Sequence, residues 1–566
     1  MINPPIIKKI KYSEASIESL DDVLINSEEK HYIEDYPTVY VVNDKKDNAG
    51  RLNFDVYVGE ANWIIQRTKQ HLENANDKLQ HLNSDAQIMI IGHDHFNKSM
   101  TLDIENRLIN HMIGIDNVVS LNGRGNQQGT YFTSNLTGEI FNKIWRKMHL
   151  IEPELIPPLN VVRDSALFKA SPFHNLSEEQ RNDKNQIVAE TEAALSRDEI
   201  GQLIIVEGAA GTGKTVLLSS LFYEFASHGG GEFSNSIIND ARSFLLVNHD
   251  QQLTVYQQIA KKLNLSSKNK EVVYKPTVWL NYMENQPIAD VALVDEAHLL
   301  WTQGKQAYRG KNQLDDIRKH ARVVIAVFDK NQILRSEQHL SDESIAKLYV
   351  GAKVIKLNHQ FRIHANENTI QWIDDFVEGT LTKIPKDDSY DLKIFDDPEK
   401  MYEQIKQKNQ DQRFGLSRML ATFDWKYIEN KEPENGGLWR VTVGDFSLPW
   451  NLELENKTNR KRNKGLSWAE RDYTINEIGS TFTIQGFDLN YAGLIIGPSV
   501  KWRNGRLVFD RDASANHNAI KKRDGQDFSE QHLRNELNVL IKRGVRGLCI
   551  YAVDDELRNK LMSLTN

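Results

Sequence analysis

The sequence predicts an α/β protein: a small mixed α/β domain followed by two domains built on parallel sheets. Three observations lead there. An apolar strand, Leu203 to Val206, runs into a glycine-rich turn and then an amphipathic helix from Val216. A second apolar strand, Val291 to Val294, ends on Asp295 and Glu296, and a third, Val323 to Phe328, ends on Asp329. Buried strands alternating with helices describe a parallel sheet whose ligands lie at the strand carboxyl ends.

At 566 residues the chain is too long for one hydrophobic core. Its 40% hydrophobic and 26% charged composition is that of a folded globular protein, not a disordered one. No run approaches the roughly 18 apolar residues that span a bilayer, and Met1-Ile-Asn-Pro-Pro lacks a signal-peptide pattern. The lone cysteine, Cys549, excludes an internal disulfide and a cysteine zinc site, so a cytoplasmic compartment is expected, with no membrane partner. The net charge of −8 neither favours nor excludes nucleic acid, because an acidic body can carry a local basic track.

Residues 1–150 read as the first domain. Tyr36 to Val42 and Phe54 to Gly59 are β-rich runs on either side of a turn-like segment, 43–50, and predict an antiparallel hairpin. A helical pattern follows from Ala61 to Leu72, then a strand, Gln87 to Ile91, and a helix, Met100 to Met112. Glu105 shares a stripe of that last helix with Leu102, Ile109 and Met112; a carboxylate there is costly unless paired or bound to a cation.

Thr38-Val39-Tyr40 and Tyr57-Val58-Gly59 stand where the GIY-YIG nuclease family has its two name-giving triplets, and the domain resembles that family. Arg67, Glu105 and Asn122 follow in the family's order, although Thr38 replaces the first glycine and the hairpin loop is long. The resemblance implies a one-metal phosphodiester hydrolase. Glu105 would bind Mg or Mn, and Arg67 would neutralise charge developing on the scissile phosphate. Tyr40 and Tyr57 would position or deprotonate the attacking water, with His71 nearby on the helix of Arg67. His93 and His95 are read as a polar strand-end turn in preference to metal ligands.

The proline-rich stretch 151–158 predicts a semi-rigid spacer within a 151–170 linker. Residues 171–355 then form the first parallel-sheet domain. Gly208-x-x-x-x-Gly213-Lys214-Thr215, with Gly211 inside it, is a phosphate-binding loop: exposed N–H groups and a helix N-terminus face the phosphates. Lys214 can reach the β- and γ-phosphates and Thr215 can offer its hydroxyl to Mg. Asp295 can hold the same Mg through water, and Glu296 can polarise the attacking water.

The order of motifs resembles superfamily 1 helicases from about residue 170 to the end, in RecA-like domains. Gln180, in Leu-Ser-x-x-Gln, resembles the adenine-reading glutamine of that family. Asp329 and Gln332 resemble its γ-phosphate sensor, and His249-Asp250 falls where the family contacts nucleic acid. In the second such domain, 356–566, Gln-Phe-Arg362 resembles the motif that reaches ATP across a cleft. Gln485, Gly486 and Asp488 resemble the segment that grips nucleotide and strand backbone, and Arg543, with Arg546 second, resembles the arginine finger. A Trp-rich insertion (Trp425, Trp439, Trp450, Trp468) flanks the basic run 459–464; stacking on bases competes there with an ordinary core and a solvated loop. The nearest branch is a poorly characterised bacterial and phage-associated group of helicase-like ATPases.

Together these readings predict an ATP- and Mg-dependent helicase or translocase fused to a nuclease, acting on nucleic acid with DNA favoured over RNA, in phage defence or repair. Two alternatives stand beside it. One is an ATP-gated nucleic-acid binder whose N-terminal domain recognises but does not cut, and the other is a phosphate-loop signalling ATPase.

Overall fold

In the computed structural model, the described residues are 2–565 without 49–50, 75–76, 78, 80–81, 124–130, 175, 210, 228–235, 240, 268–269, 305–307, 339–341, 358–359, 361, 412–414, 430, 456–462, 464–465, 485–486 and 524. The chain divides into two compact units. The first is Met1–Glu178 with Ser219–Ala241 and Val255–Val273, and the second is Glu179–Leu218 with Arg242–Thr254 and Tyr274–Asn566. Among the described residues, no helix is long and apolar enough to cross a membrane.

The first unit holds a mixed sheet of β1 (Ile6–Lys11), β2 (Thr38–Asn48), β3 (Arg51–Ala61), β4 (Gln87–Gly92) and β5 (Val118–Leu121), in the order β1-β4-β2-β3-β5. The hairpin is longer than expected. Most of the segment read as a loop continues both strands, down to the pair Asn48↔Arg51. The charged residues are carried by cross-strand partners: Lys46 pairs with Asp55. Helices Ile64–Glu73 and Lys98–Ile113 lie where periodicity put them.

The stretch 151–158 is no spacer. Leu155 and Ile156 are fully buried, and Trp145 Nε1 and His149 Nδ1 bond the carbonyls of Pro157 and Ile156 at 2.9 and 2.6 Å. Its prolines stiffen a packed segment inside the first unit, which continues to Glu178.

The second unit contains two parallel sheets. One consists of β6 (Gln202–Gly208), β7 (Ser243–Val247), β8 (Val273–Tyr274), β9 (Ala289–Asp295), β10 (Ala321–Phe328) and β11 (Lys353–Leu357), in the order β11-β6-β10-β9-β7-β8. Five of these, β11 through β7, pair in parallel throughout. Their near-continuous apolar runs suit strands covered on both faces. The other sheet joins β12 (Asp391–Ile394), β13 (Arg418–Ala421), β16 (Ile478–Gly479), β17 (Leu489–Ile496) and β20 (Gly544–Ala552), in the order β12-β20-β17-β13-β16, again parallel. Two small hairpins, β14–β15 (Arg440–Val443, Phe446–Pro449) and β18–β19 (Val500–Arg503, Arg506–Phe509), are added to it in sequence.

A buried carboxyl pair lies beyond the ends of β13 and β17. Glu536 accepts from Phe423 N–H and from Asn516 Nδ2 at 3.0 Å, and Asp424 accepts from Ser499 N–H at 3.0 Å. Burial, then the neighbouring Asp424, pushes Glu536 up to about 7 from 4.5, and burial pushes Asp424 up to about 6 from 3.8. A carboxyl with a raised folded-state pKa stabilises fully below its unfolded pKa and loses that contribution as pH rises through the folded value. Glu536→Gln should therefore remove a loss of roughly 1–3 kcal/mol between about pH 4 and pH 8, read as a flatter pH profile of urea stability than the parent's.

Candidate functional site

Parallel register puts Gly208, Asp295 and Asp329 at one edge of the first of these sheets, because β6, β10 and β9 end together. Beyond β6 the chain turns through Gly211 (φ +91°) and Gly213 (φ +78°), a left-handed path that residues with a Cβ rarely take. Lys214 opens the helix Lys214–Ala226 and is buried. Its ammonium donates to the carbonyls of Gly208 and Ala209 at 2.7 and 2.8 Å and pairs with Asp329 at 3.4 Å.

Asp329 is fixed from its other side by Gln332 Nε2 at 2.7 Å and the N–H of Asn331 at 3.1 Å. Burial alone would raise its pKa; Lys214, His298 and these donors outweigh burial and hold it below the usual range. Asp295 closes β9 and is buried. Glu296 next to it takes φ 47°, ψ 52°, a left-handed conformation worth about 1–3 kcal/mol of strain for a residue with a Cβ. Its Oε2 is buried without a hydrogen bond, 3.4 Å from His298 Nε2. Burial lowers the pKa of His298, so that ring faces the glutamate neutral.

A cavity of about 480 Å³ opens here, lined by the loop, Asp329 and three lysines that sequence reasoning missed, Lys330, Lys356 and Lys542. The three lysines come from segments far apart in the chain and meet only in the fold, where Lys542 also pairs with Asp374 at 2.6 Å. Gln360, the glutamine of the Gln-Phe-Arg362 motif, reaches the loop: a Cβ on Gly211 would meet its Oε1 at 2.1 Å.

Asp488 and Arg543 immediately precede β17 and β20 of the second sheet, and Arg362 follows β11 of the first. Asp488 binds Arg362 Nε at 2.7 Å and stands 3.8 Å from Arg543 Nη1. Arg543 is 1% exposed and also bonds the carbonyls of Val539 and Phe487, each at 3.0 Å. Burial and the charge of Arg362 pull its pKa down to about 10, against Asp488, Glu296 and Asp329, which places Arg543 within electrostatic reach of both acids. Asp488 thus holds the two arginines. Arg546 is exposed, and burial together with the charge of Arg546 lowers the pKa of His364. Gln180 is buried in the first turn of the helix Glu178–Ser196, and Thr215 is half-buried behind Lys214. Gln485 and Gly486 lie outside the described residues, as does the basic run 459–464 apart from Asn463. Trp450 and Trp468 are core residues, and the indole N–H of Trp468 donates to Glu477 at 2.6 Å. Trp425 and Trp439 are half-buried, with their indole N–H groups on the carbonyls of Thr442 and Lys431.

The first unit carries a separate cluster. Tyr40 sits opposite Gly59 across the hairpin, and a Cβ on Gly59 would lie 2.5 Å from the phenol carbon and oxygen of Tyr40. Glycine is required there by the ring above it. Tyr57, diagonal to Tyr40 on the same face, stacks with it at 6.1 Å. His71 Nε2 lies 3.0 Å from the Tyr40 hydroxyl, and Arg67 and Glu105 both act on Tyr40 electrostatically. Burial, reinforced by Tyr57, raises the pKa of Tyr40 well above the usual phenol range. Glu105 is itself buried.

Asn122 is engaged by the backbone of β3. Its amide accepts from Val58 N–H at 2.8 Å and donates to Val58 O at 2.7 Å, pinning β3 to the segment after β5. Asp77 and Tyr12 were missed. Asp77 bonds His71 Nδ1 at 2.7 Å, and the Tyr12 phenol is buried without a hydrogen bond, its pKa raised by burial and by Asp77. Neither belongs to a motif, so only the fold reveals them. His93, Asp94 and His95 form a hydrogen-bonded turn: His93 Nε2 is on Asn3 O at 3.1 Å and His95 Nδ1 on Asp94 at 2.7 Å.

Two parallel sheets, a phosphate-binding loop, an acid pair at a strand end and buried arginines define a helicase-like P-loop ATPase. Residues 201–554 match the family described as Schlafen group 3, DNA/RNA helicase domain, and the chain belongs to that family. It is 32% identical over 470 residues to an uncharacterized protein of Saccharomyces cerevisiae, YPL245W, covering 75% of this chain and 98% of that one. Among solved structures, it is similar to the arterivirus nonstructural protein 10 helicase at 12% identity and a TM-score of 0.29, over 66% of this chain and 63% of that one. AMPPCP-bound DnaA of Aquifex aeolicus is similar at 18% identity and a TM-score of 0.19, over 37% of this chain and 55% of that one.

Removing the carboxylate shared by the arginines should disable them without touching the loop. Asp488→Ala is expected to lower steady-state ATPase kcat at least about tenfold while ATP affinity changes little; titration with a fluorescent ATP analogue beside the turnover assay checks both.

Proposed function

We propose that the chain is a nucleic-acid-stimulated ATPase whose N-terminal unit cleaves phosphodiester bonds, with DNA the favoured substrate. The observation that carries the motor reading is that groups from four segments and two sheets act on one another beside the phosphate loop: Lys214 pairs with Asp329 at 3.4 Å, and Arg543 feels the charges of Glu296 and Asp329. Lys214 would release its loop carbonyls to bind the β- and γ-phosphates. Thr215 and Asp295, both hard oxygen donors, fit Mg, which would neutralise phosphate charge when bound. Glu296, already strained and buried, would orient the attacking water, and Arg362 and Arg543 would meet the charge that develops at the γ-phosphate.

For the nuclease reading, support comes from the grouping of Tyr40, Tyr57, Arg67, His71 and Glu105 about one hairpin face. A single buried carboxylate beside phenols suits a divalent ion that keeps most of its waters, and Glu105 would hold it. That ion would polarise the scissile phosphate. Arg67 would bind the phosphate's charge, and Tyr40 would align the water. The raised pKa of Tyr40 favours, as a second reading, a unit that binds nucleic acid without cutting it.

One experiment separates these. ATP turnover is measured with no nucleic acid, single-stranded DNA, duplex DNA and RNA, and cleavage is followed in the same tubes with Mg or Mn. Stimulation by nucleic acid that Lys214→Ala abolishes, with cleavage that Glu105→Ala abolishes and Lys214→Ala does not directly affect on short substrates, is the expected result. Turnover indifferent to every nucleic acid sinks the motor reading, and wild-type protein that stimulates but never cuts leaves the binding-only reading.

A further inference from the structure

The first unit contains a hydrogen-bonded chain that no motif announces. Asp77 Oδ2 lies 2.7 Å from His71 Nδ1, and His71 Nε2 lies 3.0 Å from the Tyr40 hydroxyl. All three are protected: Tyr40 is 1% and His71 5% exposed, and the Asp77 side chain is 15% exposed. Asp77 is itself fixed by its own backbone neighbourhood, since its Oδ1 accepts from Leu79 N–H at 3.0 Å and its N–H donates to Asn74 O at 2.9 Å.

An ionised carboxylate only accepts hydrogen bonds, so the proton between Asp77 and His71 resides on Nδ1. That leaves Nε2 with a lone pair, and the Tyr40 O–H must be the donor to it. We propose that Asp77 is a positioning residue that fixes the His71 tautomer, so that Tyr40 can pass its proton to His71 as it takes one from the attacking water. The inference rests on the nuclease reading.

Its chemistry resolves a difficulty in that reading. A phenol whose ionisation is disfavoured by burial is a poor resting-state base. In the relay, Tyr40 never has to hold a full negative charge. The water oxygen bonds phosphorus while the P–O bond to the leaving sugar oxygen breaks. The water's proton goes to the Tyr40 oxygen as the phenol's own proton moves to His71 Nε2, and a solvent water protonates the leaving oxygen. Asp77 faces the imidazolium that forms, as a buried carboxylate does in a serine-protease triad. Two details of the fold make this possible. His71 is one helical turn after Arg67 on the same helix, and Gly59 leaves room for Tyr40 to lie flat across β3.

The test uses the full chain with 15N-labelled histidine, His71 being assigned by loss of its signal in His71→Gln. Wild type should show His71 as the Nδ1–H tautomer. Asp77→Asn, whose amide can donate to Nδ1, should shift it toward Nε2–H. On the same proteins, Asp77→Asn should lower the kcat of cleavage about 10²–10⁴-fold with KM within about twofold. Asp77→Glu should restore part of it, and the ATPase should stay at the wild-type rate. An Nε2–H tautomer in wild type, or Asp77→Asn cutting as fast as wild type while His71→Gln does not, overturns the inference and leaves the nuclease reading intact. Absence of cleavage by wild type overturns the nuclease reading alone, and the tautomer measurement then decides whether Asp77 sets His71.

Discussion

Parallel pairing of β6, β10 and β9 is the constraint from which the ATPase centre follows. In a parallel sheet every strand leaves at the same edge, so the residue after each strand end enters one crevice. Val206 pairs with Val327 and Val294 with Ala326, and the next residues on each path are the phosphate loop, Asp329 and Asp295. A shift of one strand by two residues would move its acid by nearly 7 Å and separate Lys214 from Asp329. The strands are apolar on both faces because both are covered, and that burial holds the register.

The second sheet contributes charges that would be unfavourable alone. Arg543 is buried beside another arginine, and a buried unpaired guanidinium is expensive. Asp488 makes the arrangement tolerable by facing both arginines, while carbonyls of Val539 and Phe487 take further donors. Arg543 also feels the charges of Glu296 and Asp329 at the edge of the first sheet. Asp488 is thus the shared partner of Arg362 and Arg543.

In the N-terminal unit the governing contact is steric. The Tyr40 ring occupies the space that a side chain at residue 59 would need, which aligns its hydroxyl with His71 and stacks it on Tyr57. Asn122 ties β3 in place through the backbone of Val58. Tyr40 is therefore held in place by packing, with His71 and then Asp77 behind its hydroxyl.

Periodicity and motif spacing were enough to read the α/β class, the strand–loop–helix about Lys214, the acid pair at Asp295 and Glu296, and the hairpin that bears both tyrosines. These are local: each depends on alternation, on glycine's freedom at φ > 0, or on a strand followed directly by its functional residue. The segment 151–158 was misread because proline marks a turn without saying whether its neighbours are buried. Sequence order does not show that Asn122 bonds the backbone of Val58 or that the charge of Arg546 acts on His364. Asp77 and the three lysines about the cavity have no sequence signature, since their significance is a distance between segments far apart in the chain. What the sequence by itself determined is which elements form and which end of each strand is chemical. Only the tertiary structure decided which charges meet, because pairing, burial and the resulting pKa shifts are properties of neighbours in space.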